Sequence, residues 1–437
     1  MQQHTDRHLQ GEGVRGRGAA PGHRPPPTSE AATADPPVPR PPVLPADPAA
    51  PRPPVMPGGP VAVTRAAPSR PAARPATPPG PGSEVWVREV LARYWGVAGP
   101  VVRPLLVDGA APLSHTAGLW RTLEPGAGRV LKVRLTPEAL RPPAFYEVKE
   151  RIGDHCRSQG VPVGAAIPAL DGRAGVHHDG TVSELAPWYD GAPADPADPA
   201  QSAAVVHCGL RLRRALDTVP GPLRAALATV PLPLLVEEED WRAALVDAAR
   251  LLARAERRGD RWSRLVADAL RPAVAAGPLL HDQLGTPGRP PRPPAVIHSD
   301  LHPHHFILSP RAGDPAAGTA YAVRAVLDFD NLQVGDPLLD LAWLAEAAGR
   351  VTGSVARQRS LTAFLKDAVR LGLLRPGEET LLMPLLMAHS LPVITDIAED
   401  ILERGVIGPQ WPGYFALLSP ERRLGIHRRL ALAGRSL

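Results

Sequence analysis

Two aspartates stand directly after short apolar runs in the second half of the sequence. Asp300 closely follows AVI at 295–297, and Asp328 follows VL at 326–327. We expect both carboxylates to lie at the ends of buried strands, where they can face a cleft. Phosphoryl transfer needs two such groups: one accepts the proton of an acceptor hydroxyl, and one holds Mg²⁺ against phosphates. The 28 positions from one aspartate to the other leave room for a hairpin that would bring them together.

A histidine cluster around the first aspartate suggests a second chemistry. Its members are His298, His302, His304 and His305. Imidazoles and an aspartate are common metal ligands, so a metallohydrolase is an alternative interpretation. The order of these residues differs from the H-x-H-x-D-H pattern of metallo-β-lactamase-like hydrolases. Asp330, two positions after Asp328, either supports the same site or caps the following turn.

A lysine lies in the clearest strand pattern of the first half. The chain contains only three lysines, Lys132, Lys149 and Lys366, and the first of them lies in GRVLKVRL. In this segment Val130, Lys132 and Arg134 alternate with apolar residues, which predicts a strand with one apolar face. A lone lysine on a strand usually faces solvent. Its coexistence with the two aspartates makes a functional role the better interpretation.

The two aspartate segments together resemble the paired signature of the aminoglycoside phosphotransferase and choline kinase superfamily. They read HSDLHPHH and VLDFDNLQVGDPLLDLAWL, where the family pattern is H-G-D-x-H-x-x-N and then I-D-[FW]-[DE] with G-D-P and D-L-A. The resemblance implies that Asp300 is the catalytic base, and that Asp328 and His305 are metal ligands. His298 and His302 would frame the catalytic loop. The residues that would anchor this loop in a helical lobe are Gly335, Asp336, Pro337 and Asp340.

The resemblance continues upstream. It implies that Lys132 binds nucleotide phosphates and is held by Glu147 on the following helix, with Glu150 as the rival partner. The segment TVSELAPWYDG resembles the strand that becomes the hinge between lobes, with Glu184 and Leu185 near the nucleotide base. The implied co-substrate is ATP or GTP, used with Mg²⁺ or Mn²⁺. The implied partner is a small molecule with a hydroxyl group.

The sequence departs from this family at three places within the matching region, about residues 90 to 345. Ser299 stands where glycine is usual, and His305 stands where a metal-binding asparagine is usual. The segment SHTAGLWRTL at 114–123 occupies the place of a phosphate-covering loop but lacks G-x-G-x-x-G. The histidine keeps open an alternative function, a kinase-fold binding module with weak or no catalysis.

The elements needed to position these residues are predicted in two groups. Residues 83–189 alternate short strands with helices, beginning with a helix after the N-cap Ser83, and should form a β-rich nucleotide-binding lobe. Residues 190–437 are mainly helical and should carry the catalytic and metal loops. The helical stretches are 201–217, 239–256, 260–275 and most of 354–437. Together with the resemblance, this order predicts an α+β, two-lobe, protein-kinase-like fold.

Residues 1–82 have a different composition from the rest. They contain 22 of the 56 prolines, in runs such as RPPP and PPVPRPPV. Such a segment can neither pair its backbone regularly nor bury a core, so a disordered tail with polyproline II character is predicted. An inert tail or an over-extended start is the simpler interpretation. The alternative is a ligand for an SH3-like, proline-binding partner.

Composition argues against several other classes of protein. The net charge is +5, but basic residues are spread along the chain without interleaved aromatic residues, so no nucleic acid partner is expected. Cys156 and Cys208 form no C-x-x-C pair. The first residues show no apolar signal region, and no run of about 18 apolar residues is evident. These observations predict a cytoplasmic protein without a membrane partner.

A cluster of acidic residues near the C-terminus bears on the acceptor. Its members fall at helical spacing: Asp396, Glu399, Asp400 and Glu403. They should share one helix face. A solvated face is the simpler interpretation. The alternative is an anionic wall that binds a cationic acceptor such as an amine.

Overall fold

A computed structural model describes residues 81–107, 111–112, 117–123, 128–135, 140–230, 238–285, 292–311 and 320–435. By its internal contacts the chain divides into two units, Met1–Arg74 and Pro75–Leu437. Every described residue belongs to the second unit. The predicted proline-rich tail therefore lies outside the described residues, apart from its last two positions.

The first part of the described chain forms an antiparallel sheet of five strands. The strands are β1 (Val102–Pro104), β4 (Ala117–Thr122), β5 (Arg129–Arg134), β6 (Val176–His178) and β7 (Thr181–Pro187). Two short strands that lie between β1 and β4 along the chain, β2 (Leu106–Val107) and β3 (Ala111–Pro112), form a separate pair. The spatial order in the five-stranded sheet is β1-β4-β5-β7-β6. The lysine strand β5 therefore lies in the middle of the sheet, between β4 and β7.

The two faces of this sheet have different neighbours. Leu131, Val133 and Leu185 are fully buried in a core that includes residues of helix α1 (Glu84–Trp95). Helix α1 begins as predicted, because the Ser83 hydroxyl accepts a hydrogen bond from the Trp86 amide. Lys132 alternates with these core residues and lies directly opposite Glu184 on β7. Its side chain therefore projects from the other face.

Helix α2 (Pro143–Ser158) follows the lysine strand and belongs to the main core of the protein. Its buried residues include Phe145, Tyr146 and Ile152, which share one hydrophobic cluster with the helices of the second part of the chain. Gly160, just after the helix, has φ of 75°, the left-handed conformation that favours glycine at a helix end. The apolar face of α2 thus ties the sheet to the helical lobe.

The second part of the described chain is mainly helical. Its helices are α3 (Pro199–Asp217), α4 (Gly221–Ala228), α5 (Glu238–Arg258), α6 (Arg261–Ala275), α7 (Gly277–Leu284), α8 (Leu338–Gly349), α9 (Ser354–Arg370), α10 (Leu382–Glu399), α11 (Trp411–Leu418) and α12 (Pro420–Gly434). The three helices predicted before residue 280 correspond to α3, α5 and α6. The α+β arrangement, a small sheet lobe followed by a large helical lobe, is confirmed.

Each of the two aspartates follows one of the short strands between α7 and α8. These strands are β9 (Ala295–Ile297), β10 (Phe306–Pro310), β11 (Tyr321–Val326) and β12 (Gln333–Gly335), and β10 also pairs with β8 (Ala192–Pro193). Strands β10 and β11 form an antiparallel pair, which is the hairpin that the spacing predicted. Strands β9 and β12 form a second antiparallel pair. Asp300 therefore follows β9 and Asp328 follows β11.

One helical stretch, Glu378–Arg404, is long and apolar enough to cross a membrane by length and composition alone. The sequence prediction overlooked it. In the folded protein, 72% of its apolar window is buried. Its central part is α10, whose residues Leu382, Met383 and Leu386 pack in the main core. This burial is typical of the core helix of a globular domain.

Candidate active site

The loop that carries Asp300 is anchored by one buried carboxylate. Asp340 in α8 accepts hydrogen bonds from the backbone amides of His298 at 3.1 Å and Ser299 at 2.9 Å. Arg213 of α3 donates to the same carboxylate at 2.6 Å and to the carbonyl oxygen of Val296 at 2.6 Å. Arg213 and Asp340 are both fully buried. A buried charged pair, with each of its members also bonded to the loop backbone, therefore fixes the chain just before Asp300.

Ser299 occupies a strained position in this loop. Its φ is 61°, in the left-handed region that glycine adopts without penalty. Its hydroxyl donates to the carbonyl oxygen of Asn331 at 2.7 Å, and its own carbonyl accepts from the indole of Trp343 at 2.9 Å. The serine thus ties the Asp300 loop to the Asp328 loop, which a glycine could not do.

We expect Ser299→Gly and Ser299→Ala to separate these two effects. Glycine loses the hydrogen bond to Asn331 but relieves the left-handed strain, so the change in the free energy of unfolding should stay within about 1 kcal/mol. Alanine loses the bond and keeps the strain, so it should destabilise by about 1–2 kcal/mol. Urea denaturation measures both. An alanine variant as stable as the glycine variant would contradict this account.

The imidazole of His305 links the two aspartate loops. Its Nδ1 lies 2.9 Å from the backbone carbonyl oxygen of Asp300. Because a carbonyl oxygen only accepts, Nδ1 carries a proton, and in the neutral form of the ring the lone pair lies at Nε2. That nitrogen lies 3.7 Å from Oδ2 of Asp328. The structure therefore brings together the two residues predicted as metal ligands and orients both by contacts within the chain.

This donor pair fits a divalent cation. One carboxylate oxygen and one imidazole nitrogen with a fixed tautomer face the same small space, and a backbone carbonyl that fixes the tautomer is a usual feature of histidine ligands. The described residues form no group of three or more His, Cys, Asp or Glu side chains able to hold a metal ion. A kinase needs only part of the coordination from the protein, because phosphates and water supply the rest.

The side chains of His298 and His302 form contacts within the chain and do not converge on a common metal position. Nε2 of the buried His298 lies 3.1 Å from the carbonyl oxygen of Leu327. Nδ1 of His302 accepts from the backbone amide of His304 at 3.2 Å, so this nitrogen is unprotonated. Burial lowers the pKa of His298 and lowers that of His302 well below its usual value. This arrangement supports the framing role predicted for these residues and gives no support to a metallohydrolase.

Lys132 bonds to both carboxylates of the second loop. Its Nζ lies 2.8 Å from Oδ1 of Asp328 and 2.8 Å from Oδ2 of Asp330. Burial opposes the charge on each group, but mutual attraction prevails. The pKa of Lys132 is raised above its ordinary value, and that of Asp328 is lowered to about 2. All three groups are therefore charged at neutral pH.

The predicted partner of Lys132 on the helix is wrong. The Glu147 carboxylate accepts a hydrogen bond from the backbone amide of Ala174 at 3.0 Å. The rival, Glu150, pairs with Arg157. The reason is the phase of α2, which advances about 100° per residue and turns Lys149 instead toward Glu184 of β7 and Asp330.

The side chains of both residues predicted near the nucleotide base are engaged within the chain. The Glu184 carboxylate bonds to Lys149 at 2.6 Å and to Arg134, inside the charged cluster. The side chain of Leu185 is fully buried in the core beneath α1. The sequence analysis gave no role to Trp188, which follows β7 and lies 3.7 Å beneath the guanidinium of Arg121.

The acidic cluster at the end of α10 and in the π-helical turn that follows it, Asp400–Arg404, is not a free anionic wall. All four of its carboxylates form ion pairs with arginines: Glu399 and Glu403 with Arg250, Glu403 also with Arg254, and Asp396, Glu399 and Asp400 with Arg404. The simpler interpretation, a solvated charged face, agrees with these pairs. The cluster therefore gives no support to a cationic acceptor.

Comparison with known proteins places this site in a family. The model of the phosphotransferase enzyme family matches residues 100–374, more than half of the chain. No curated protein sequence matches the chain. The sheet lobe, the helical lobe and the paired aspartate loops define a kinase-like phosphotransferase. The chain belongs to the phosphotransferase enzyme family, as its motifs predicted.

Three solved structures share the fold. A spectinomycin phosphotransferase in complex with ADP and spectinomycin is 12% identical, covers 79% of this chain and 99% of its own, and has a TM-score of 0.53. An amicoumacin kinase in complex with AMP-PNP and Ca²⁺ is 13% identical and has a TM-score of 0.51. The match covers 79% of this chain and 93% of the amicoumacin kinase. A microcompartment-associated aminopropanol kinase is 17% identical and has a TM-score of 0.53. The match covers 80% of this chain and 99% of the aminopropanol kinase. These structures confirm the kinase-like fold.

Proposed function

We propose that this protein transfers the γ-phosphate of ATP or GTP to a hydroxyl group of a small molecule. The observation that carries the proposal is the His305 bridge. One imidazole contacts the backbone carbonyl of Asp300 at 2.9 Å and lies 3.7 Å from the carboxylate of Asp328. It therefore holds the loop of a candidate base beside the loop of a candidate metal ligand, as phosphoryl transfer requires.

Each residue in this site has a distinct role. Asp300 accepts or orients the proton of the acceptor hydroxyl. Lys132 binds nucleotide phosphates and exchanges its contact with Asp328 for them. Asp328 and His305 would hold Mg²⁺ or Mn²⁺, which neutralises charge on the phosphates when it is bound. ATP and GTP are cytosolic nucleotides, so we also place the protein in the cytoplasm.

We propose a chemical class for the acceptor. The similar structures are named for kinases of spectinomycin, amicoumacin and aminopropanol. Aminopropanol is by its name an amino alcohol, which supports a hydroxyl compound that also carries an amine. Because the acidic face of α10 is already neutralised, an amine would have to be recognised elsewhere.

Nucleotide consumption against a panel of acceptors tests the proposal. The panel should contain aminoglycosides, amino alcohols such as choline, hydroxy amino acids and macrolides, each with ATP and with GTP. Acceptor-dependent release of ADP or GDP, abolished in Asp300→Asn, is the expected result. Tight nucleotide binding without turnover on any acceptor would favour a binding module. Hydrolysis of a substrate without nucleotide would favour the hydrolase alternative.

His305→Asn is expected to change the metal preference of the reaction. An imidazole nitrogen suits first-row metals such as Mn²⁺ better than Mg²⁺, whereas an amide oxygen suits Mg²⁺. The variant should therefore raise the Mg²⁺-supported rate relative to the Mn²⁺-supported rate severalfold. Steady-state rates at saturating concentrations of each metal measure this ratio.

His304→Asn is the matched control, since His304 is exposed and its imidazole lies outside the Asp300–Asp328 bridge. Its rate ratio should equal that of the unchanged protein. An unchanged ratio in His305→Asn as well would show that the imidazole does not contact the metal directly.

A further inference from the structure

Three cations of the sheet lobe converge on one carboxylate that the proposed function leaves without a role. Asp330 lies two residues after Asp328, in the short 3₁₀ helix Phe329–Asn331. Its carboxylate lies 2.8 Å from Lys132 Nζ and 3.1 Å from Lys149 Nζ. It also accepts two hydrogen bonds from Arg134, at 2.9 Å and 2.5 Å.

The contact with Arg134 fixes the orientation of this carboxylate. Nε of the arginine bonds to Oδ2, and Nη2 bonds to Oδ1. Such two-pronged pairs add directional precision to charge attraction. Arg141 further donates to the backbone carbonyl of Asp330 at 3.2 Å. Both the carboxylate and its backbone are therefore held in place independently of Lys132.

Helix α2 cannot supply the carboxylate that a kinase usually places beside this lysine. In protein kinases the strand lysine is paired with a glutamate of the following helix, and the pair must form for activity. Here the helix presents Lys149, another cation, and Glu147 and Glu150 are engaged elsewhere. The neighbouring Glu184 bonds to Lys149 and Arg134. Among the described residues, Asp328 and Asp330 are therefore the carboxylates that Lys132 contacts.

Only one of these two carboxylates can hold the lysine throughout the reaction. Asp328 also faces His305, and it is the residue that would turn to a metal ion with bound nucleotide. We propose that Asp330 is the positioning residue of Lys132, replacing the absent helix glutamate and holding the ammonium group toward the nucleotide phosphates. This inference rests on the proposed function, because it requires that Lys132 binds phosphates.

Nucleotide binding without an acceptor tests the proposal on the full chain. The probes are AMP-PNP, which has phosphates, and adenosine, which has none; for a chain that prefers guanine they are GMP-PNP and guanosine. Asp330→Asn should weaken AMP-PNP binding by about tenfold, the value of one well-formed hydrogen bond to a charged group, and leave adenosine binding within about twofold. Calorimetry or competition with a fluorescent nucleotide measures both.

A conservative variant keeps the test decisive if Asp330→Asn does not fold. Asp330→Glu retains the charge but displaces it by one methylene, so it should lose less AMP-PNP affinity than the asparagine variant. Its loss should still be confined to AMP-PNP. Glu346→Gln is the control, because Glu346 is a buried carboxylate paired with Arg422 and Arg423 in the helical lobe. It should lower thermal stability without changing the AMP-PNP to adenosine ratio.

Lys132→Ala separates failure of this inference from failure of the proposed function. If AMP-PNP binds Lys132→Ala as tightly as the unchanged protein, the phosphate-binding role itself is wrong. If Lys132→Ala loses affinity and the Asp330 variants do not, only the positioning role is overturned. Equal losses for AMP-PNP and adenosine in the Asp330 variants would also overturn it, because they would report a general distortion. A selective loss of AMP-PNP binding in both Asp330 variants supports the proposal.

Discussion

Replacing Asp300 by asparagine should lower turnover by about 10²- to 10⁴-fold, the usual contribution of a general base. Asparagine has nearly the same shape but cannot accept the proton of the acceptor hydroxyl. The contacts that hold the loop should remain, because His302 and His305 bond to the backbone carbonyl of Asp300 and not to its side chain. Affinity for AMP-PNP should therefore stay close to that of the unchanged protein.

The measurement is kcat with an acceptor identified from the panel, together with AMP-PNP binding on the same preparation. Asp367→Asn is the matched control, since Asp367 pairs with the exposed Arg370 on the same helix, α9. It makes the same chemical change far from the cleft and should leave kcat unaltered. Turnover of Asp300→Asn within a few-fold of the unchanged protein would remove Asp300 from the mechanism.

Asp340→Asn is expected to be the most destabilising single change in the site. The substitution leaves the fully buried cation of Arg213 with only the partly exposed Asp217 as a charged partner among the described residues, and it weakens the acceptor of two loop amides. Loss of one partner from a buried ion pair costs about 3–5 kcal/mol. The free energy of unfolding should fall by that amount. The Asp300 loop should also lose its geometry, so the turnover of the enzyme should fall. Urea denaturation followed by circular dichroism measures the first effect.

Asp217 provides an internal control on the same arginine. It pairs with Arg213 at 3.0 Å, but its side chain is 38% exposed. Asp217→Asn should therefore change the free energy of unfolding by no more than about 1 kcal/mol. Removing the buried cation as well, in Arg213→Met with Asp340→Asn, should cost less than the sum of the two single changes. Additive losses would show that the two groups do not act as a pair.

The motifs predicted the structural framework around Asp300, Asp328 and Lys132 well. The spacing from Asp300 to Asp328 anticipated the hairpin β10–β11, and alternation in β5 placed Lys132 on the face opposite the core. Asp340 was predicted as an anchor and bonds to the loop directly. These features depend on local periodicity and on fixed spacings, which a single sequence displays.

Glu147 was predicted as the partner of Lys132 because it is a carboxylate on α2, without regard to the direction in which the helix turns its side chain. The buried residues Phe145, Ile152 and Cys156 define the inward face of α2. Lys149 lies four residues after the first of them and three before the second, so it shares that face. Glu147 does not. Periodicity in the sequence therefore contained the correct answer, although it places a cation where a carboxylate is usual.

The surroundings of strand β7, the predicted hinge, could not be predicted in the same way. Strand β7 was recognised, but which of its residues face the cleft depends on its register with β5. That register pairs Lys132 with Glu184 and so turns Leu185 into the core. The stacking of Arg121 on Trp188 joins segments 67 residues apart, and no local pattern reveals it. Long-range pairing of this kind requires the folded structure.

The Asp340 anchor also has a consequence for the order of folding. Its partners are distant along the chain: Arg213 lies 127 residues before it, and His298 lies 42 residues before it. Contacts of such separation form slowly, since long loops must close before the contact is gained. During synthesis, a nascent chain that ends before α8 would already contain Asp300 but not its anchor. The Asp300 loop can thus be anchored only after α8 has been synthesised, however early the sheet lobe folds.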